Sequence, residues 1–136
     1  MKIDKLITIT GHPDSCKTSI AKQLGTKLHR TVVNTDEEVP LYFHDLSNKV
    51  FNGEKSSGYI LEGSDAGELF PNSIMFYVHF LPKVVEHRYI ESKYGYVITS
   101  FDAIKLGYNI IFIDDLGIGG ALEHVMHCLW KISDQI

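Results

Sequence analysis

Apolar and polar positions alternate between two rhythms along this chain. Residues 5–10, Lys5-Leu6-Ile7-Thr8-Ile9-Thr10, are apolar and β-branched, and predict a buried strand. Residues 17–29 follow, with Ile20, Leu24 and Leu28 at i, i+4 and i+8, which is one stripe of a helix. Further strands are predicted over 31–34, 58–62, 73–80 and 108–113. A weak helical pattern covers 42–52, where Phe43, Leu46, Val50 and Phe51 share a side. Pro82 suits the first turn of a helix running to about Ser92. Another helix is expected over 98–106. Gly117 to Gly120 breaks the chain before an amphipathic helix over 121–132. Asp114 and Asp115 are placed at the end of the last strand.

Strands that alternate with helices predict an α/β domain of three layers around a mostly parallel, five-stranded sheet. Ligands of such sheets bind beyond the carboxyl ends of the strands. A length of 136 residues suits one domain. The 44% hydrophobic and 22% charged content is that of an ordinary globular chain. A net charge of −4 supplies no basic footprint for extended nucleic acid. No apolar run reaches membrane-spanning length, and the first residues lack the pattern of a signal peptide. Cys16 and Cys128 form no CxxC pair, which fits a reducing, cytoplasmic setting.

The chemistry concentrates after the first strand. Gly11-His12-Pro13-Asp14-Ser15-Cys16-Lys17-Thr18 matches G-x-x-x-x-G-K-[ST] except that Cys16 stands where the second glycine is expected. The strand before it and the helix after it are the context of a P-loop. There, backbone N–H groups cradle a polyphosphate, Lys17 reaches its β- and γ-phosphates, and Thr18 ligates Mg²⁺. A non-glycine residue forced to positive φ at position 16 costs about 1 kcal/mol. Cys16 also sits at a helix start beside Lys17, a setting that can activate a thiol.

Other candidates lie on the same sheet edge. Asp36 follows the second strand, where a carboxylate can orient or deprotonate an attacking hydroxyl. Glu62 ends the third strand and can hold Mg²⁺ through water or contact an acceptor. Arg88, on the helix after the fourth strand, can cover a transferring phosphoryl group. The solvated alternatives for Asp36 and Arg88 are an acidic turn, Asp36-Glu37-Glu38, and the outer face of a helix. His124 and His127 have a metal-capable spacing without a third ligand in view. The chain holds eleven Lys and two Arg, Arg30 and Arg88, so the usual bidentate phosphate partner is scarce.

On three passages the chain resembles the small P-loop kinases of the nucleoside, nucleotide and shikimate kinase superfamily. They are Thr8 to Leu28, Val32 to Glu38, and Gly58 to Gly63 followed by Ser73 to Arg88. The closing strand and helix, Tyr108 to Ile132, are similar to the last unit of those enzymes. The resemblance implies a three-layer P-loop fold and phosphoryl transfer from ATP with Mg²⁺ to a small-molecule acceptor. It implies Lys17, Asp36, Glu62 and Arg88 as catalytic residues, Gly11 to Thr18 as the nucleotide cradle, and Thr18 as metal ligand. A homodimer is compatible with it. Cys16, the scarcity of arginine and a very short lid around Ser92–Tyr96 depart from the pattern. They motivate a second reading: a degenerate P-loop protein that binds nucleotide and acts through a partner. The pair Tyr94-Gly95 with Asp114-Asp115 resembles guanylate kinases, at the cost of a missing lid. A motor-type ATPase fits worst, because no arginine finger is evident. Residues 39–57 and 63–72 are expected to form the acceptor pocket.

Overall fold

A computed structural model of the chain describes residues 3–11, 16–35, 56–64, 66–79, 91–92, 95–96 and 100–134. The elements are β1 (Ile7–Gly11), α1 (Lys17–Leu28), β2 (Thr31–Asn34), a 3-10 turn (Ser56–Gly58) and β3 (Tyr59–Gly63). They continue with α2 (Ala66–Leu69), β4 (Ile74–His79), β5 (Glu91–Ser92), β6 (Gly95–Tyr96), α3 (Ser100–Lys105), β7 (Asn109–Phe112) and α4 (Ile113–Asp134). Five strands form one sheet in the order β2-β3-β1-β4-β7, and every pairing in it is parallel.

The period-two pattern of β1 decides which face each side chain meets. Ile7 and Ile9 turn to the face covered by α1 and α4, where they join Ile20, Leu24, Phe76, Val125 and Leu129 in the main core. The alternate residues Thr8 and Thr10 turn to the opposite face and are also fully buried. There Leu6, Leu61, Ala66 and Phe70 form a second cluster, and Tyr77, Ala103 and Tyr108 a third. Both faces are thus covered, and the alternate positions of β1 are buried as well. Buried leucines such as Leu24 each stabilise this core, and truncation to alanine costs about 2–5 kcal/mol.

Two sequence expectations are corrected. Residues 113–120 are not a strand end and a break but part of α4, which starts at Ile113. The expected break survives only as a kink at Gly117, whose φ of 66° and ψ of 178° favour glycine. Asp114 and Asp115 therefore occupy the first turn of a helix and do not end β7. The helix expected to reach Ser92 is not helical at its end, because Glu91–Ser92 pairs antiparallel with Gly95–Tyr96. Gly95 is a turn-favouring residue within that short hairpin. The weak helix over 42–52 lies outside the described residues, as does most of the helix begun at Pro82.

Candidate phosphate and metal site

β1 lies at the centre of the sheet between β3 and β4, and the chain leaves it toward β2 on one side before crossing to β4 on the other. This is the switch in strand order beside which ligands of open α/β sheets bind. Gly11 ends β1 there, and α1 begins at Lys17.

Cys16 is the N-cap of α1 and adopts the left-handed conformation, with φ 65° and ψ 18°. The backbone thus takes the form for which glycine is the usual residue, and cysteine accepts it at a cost of about 1 kcal/mol. The Cys16 carbonyl accepts the first helical hydrogen bond, from the N–H of Ile20 at 3.2 Å. Its side chain makes no cap hydrogen bond, and the thiol is exposed. First-turn amides and the dipole of a helix are of the kind that attract an anion.

Lys17 is only 4% exposed. A lysine buried this far requires a counter-charge, and the position suits one brought by an anion at the helix start. One residue on, Thr18 Oγ1 donates a 3.0 Å hydrogen bond to Oε1 of Glu62. Glu62 is 1% exposed and sits opposite Ile9 in the β1–β3 register. Its place on the α1 face follows from parity: it lies two residues after Ile60, which belongs to the main core. A hydroxyl and a carboxylate at this distance are hard oxygen ligands of the kind Mg²⁺ takes. The buried ammonium and the helix start can hold phosphate beside them.

The backbone carbonyl of Glu62 accepts the N–H of Thr35 at 2.9 Å. Thr35 directly precedes Asp36, so the end of β2 is fastened to Glu62. Asp36 itself, His12, Pro13, Asp14, Ser15 and Arg88 lie outside the described residues. The structure therefore brings together Gly11, Cys16, Lys17, Thr18 and Glu62 among the expected site residues.

Three residues matter here that sequence reasoning did not single out. Thr10 Oγ1, fully buried, accepts the N–H of Gly67 at 2.8 Å and ties the segment after β3 to the strand that enters the loop. Tyr108 packs its ring on Gly67, where an added Cβ would run into the phenolic oxygen. A threonine on the alternate face of an otherwise apolar strand was the available signal for Thr10. Nothing local foretold Tyr108, because its contact depends on how the sheet closes.

Arg30 is engaged at the opposite edge. Nη1 donates to the carbonyls of Lys5 at 2.9 Å and Tyr59 at 3.2 Å, and Nη2 donates to that of Ile3 at 2.7 Å. Burial pushes its pKa down, with Asp4 opposing. His124 Nε2 lies 3.7 Å from Cys128 Sγ on α4, and burial pushes the Cys128 thiol up while Lys131 opposes. Among the described residues no group of three or more His, Cys, Asp or Glu side chains is placed to hold a metal ion. No described helix is long and apolar enough to cross a membrane. No protein-family model matches the chain, and no curated protein matches it.

Proposed function

We propose that this chain is a small P-loop kinase: it binds ATP with Mg²⁺ in the turn between β1 and α1 and passes the terminal phosphoryl group to a small acceptor. The observation that carries the reading is the 3.0 Å hydrogen bond from Thr18 to Glu62, one residue after the buried Lys17, at the carboxyl edge of the central strand. Lys17 neutralises the phosphates, and the amides at the start of α1 orient them. Thr18 and Glu62 are the residues that would hold Mg²⁺, whose charge offsets the negative charge that builds up on the phosphates during transfer. Asp36 takes the proton of the attacking hydroxyl as its oxygen bonds to phosphorus, and the bond from phosphorus to ADP breaks. Arg88 stabilises the charge on the transferring group. The working compartment in this reading is the cytoplasm.

The second reading, a degenerate P-loop protein without catalysis, draws on Cys16 and Asp14. The left-handed backbone at Cys16 weakens its first support, since the turn is made at modest cost. Purified protein with γ-labelled ATP, Mg²⁺ and an acceptor panel is expected to transfer label. Lys17→Ala is expected to lower that rate by about 100-fold or more. Calorimetric binding of ATP without transfer to any acceptor favours the degenerate protein, and absence of ATP binding sinks both readings.

A further inference from the structure

We infer that one face of α4 is a dimer interface, and that its occupant is the same face of a second copy of this chain, packed antiparallel. This surface is separate from Thr18 and Glu62 and does not depend on the kinase reading. A groove of about 550 Å³ runs along α4 over Gly119, Leu122, Glu123, Met126, His127 and Trp130, and meets α1 at Lys27. At 3.6 residues per turn, Gly119, Met126 and Trp130 fall within about 40° of one another around the helix. Glu123 and His127 lie together on one flank of that stripe, and both are exposed. Leu122 lies on the other flank and is buried in the main core.

Two features of this face are a knob and a gap. Trp130 is the only tryptophan of the chain and is 48% exposed. A large ring left half in water is the kind of side chain that anchors an interface. Three turns away, a Cβ added at Gly119 would meet nothing within 4 Å. The face therefore complements itself. With a two-fold axis level with His124 and Val125, Trp130 of each copy lies over Gly119 of the other. On the same flank, Glu123 of each copy comes level with His127 of the other to within about one residue's rise. A ring N–H of His127 then donates to the Glu123 carboxylate, and each contact occurs twice. The two Met126 side chains meet beside the axis, where a flexible thioether adapts to its surroundings. A parallel pair gains none of this, because it sets Glu123 level with Glu123 and leaves Gly119 opposite Gly119. Knob, gap, acid and base each find their complement on the same surface, which is the requirement of a two-fold interface and not of a site for a different protein.

The test is sedimentation of the full chain between about 1 and 200 µM, where a monomer–dimer equilibrium is expected. Over the same range Trp130 emission should move to shorter wavelength as the ring leaves water. Gly119→Gln, whose Cβ meets nothing in its own chain, should weaken the dimer by about tenfold or more, because it takes the place of Trp130. Trp130→Ala should weaken it by about 30-fold. Glu123→Lys should weaken it by about fivefold, and adding His127→Glu should restore most of that loss by reversing both contacts. A chain that stays monomeric throughout the range overturns the inference and leaves the groove to another partner. A dimer indifferent to Gly119→Gln and Trp130→Ala has its interface elsewhere and overturns it as well. A dimer weakened by these two changes but not restored by the charge reversal overturns the antiparallel register.

Discussion

Thr18 Oγ1 and Glu62 Oε1 are 3.0 Å apart although 44 positions separate them in the chain. The bond fastens the first turn of α1 to the end of β3, and it joins the two residues best suited to share a divalent cation. Thr18→Ala takes a donor from a buried carboxylate and is expected to cost about 1–3 kcal/mol of stability by urea unfolding. The same change should weaken ATP binding with Mg²⁺ by about tenfold or more while leaving metal-free binding within about threefold. Thr18→Ser keeps the hydroxyl and should behave nearly as wild type in both measurements. Equal losses with and without Mg²⁺ would remove Thr18 from the metal site.

Cys16 pays a conformational cost that glycine would not. At φ 65° its Cβ crowds the backbone, and no cap hydrogen bond from its side chain offsets this. Cys16→Gly is expected to stabilise the protein by about 1 kcal/mol, a rise in Tm of roughly 4 °C. Cys16→Val, β-branched in the same conformation, should lower Tm by at least as much. A glycine variant that melts no higher than wild type would show that the thiol makes a compensating contact.

The fold was legible because each face of the sheet leaves its own period in the chain. Ile7 and Ile9 alternate with buried threonines, and Ile20, Leu24 and Leu28 repeat at helical spacing, so β1 and α1 could be placed nearly to the residue. The junction at Ile113 was not legible. Ile111-Phe112-Ile113-Asp114-Asp115 reads equally as a strand ending in carboxylates and as a strand that enters a helix directly, and helix packing decided for the second. Lys17 stands out by the G-x-x-x-x-G-K-[ST] pattern, and Glu62 as a carboxylate that ends an apolar strand. That Thr18, the next residue after Lys17, meets Glu62 depends on β3 lying beside β1, a matter of strand order that local periodicity does not encode. The role of Arg30 was hidden for a related reason: its partners are backbone carbonyls, which every sequence has.

Arg30 reaches Ile3, Lys5 and Tyr59 with one planar group, and no other side chain has donors spaced to do so. Lysine in its place can satisfy some of those carbonyls but not all. Arg30→Lys is expected to destabilise the fold by about 1–3 kcal/mol in urea, and Arg30→Ala by as much or more. Neither should change the affinity for ATP by more than about twofold once the protein is folded, because the clamp sits at the amino edge of the sheet. A large loss of ATP affinity in folded Arg30→Lys would place this arginine in the nucleotide site.

Gly67 is held from two sides. Its N–H donates to Thr10 Oγ1 at 2.8 Å, and the Tyr108 ring covers the place where a side chain would begin. An alanine Cβ there would lie 2.5 Å from ring carbons of Tyr108 as well as against its oxygen. The ring cannot simply swing away. It is buried against Ala103 and meets Tyr77 edge to face, with centroids 6.2 Å apart and planes at 83°. Gly67→Ala is therefore expected to cost about 1–3 kcal/mol, the usual range for overpacking a tight site. Tyr108→Leu removes the offending ring atoms and should recover about 1 kcal/mol of that loss in the double variant, beyond what the two single changes sum to. Because Thr10 directly precedes Gly11, the segment after β3 and the end of β1 share this anchor. Folded Gly67→Ala should then also bind ATP more weakly, by about three- to tenfold, with recovery in the double variant. A single variant that melts like wild type would show that the ring yields, and strictly additive double-variant energies would show that the two residues do not press on each other.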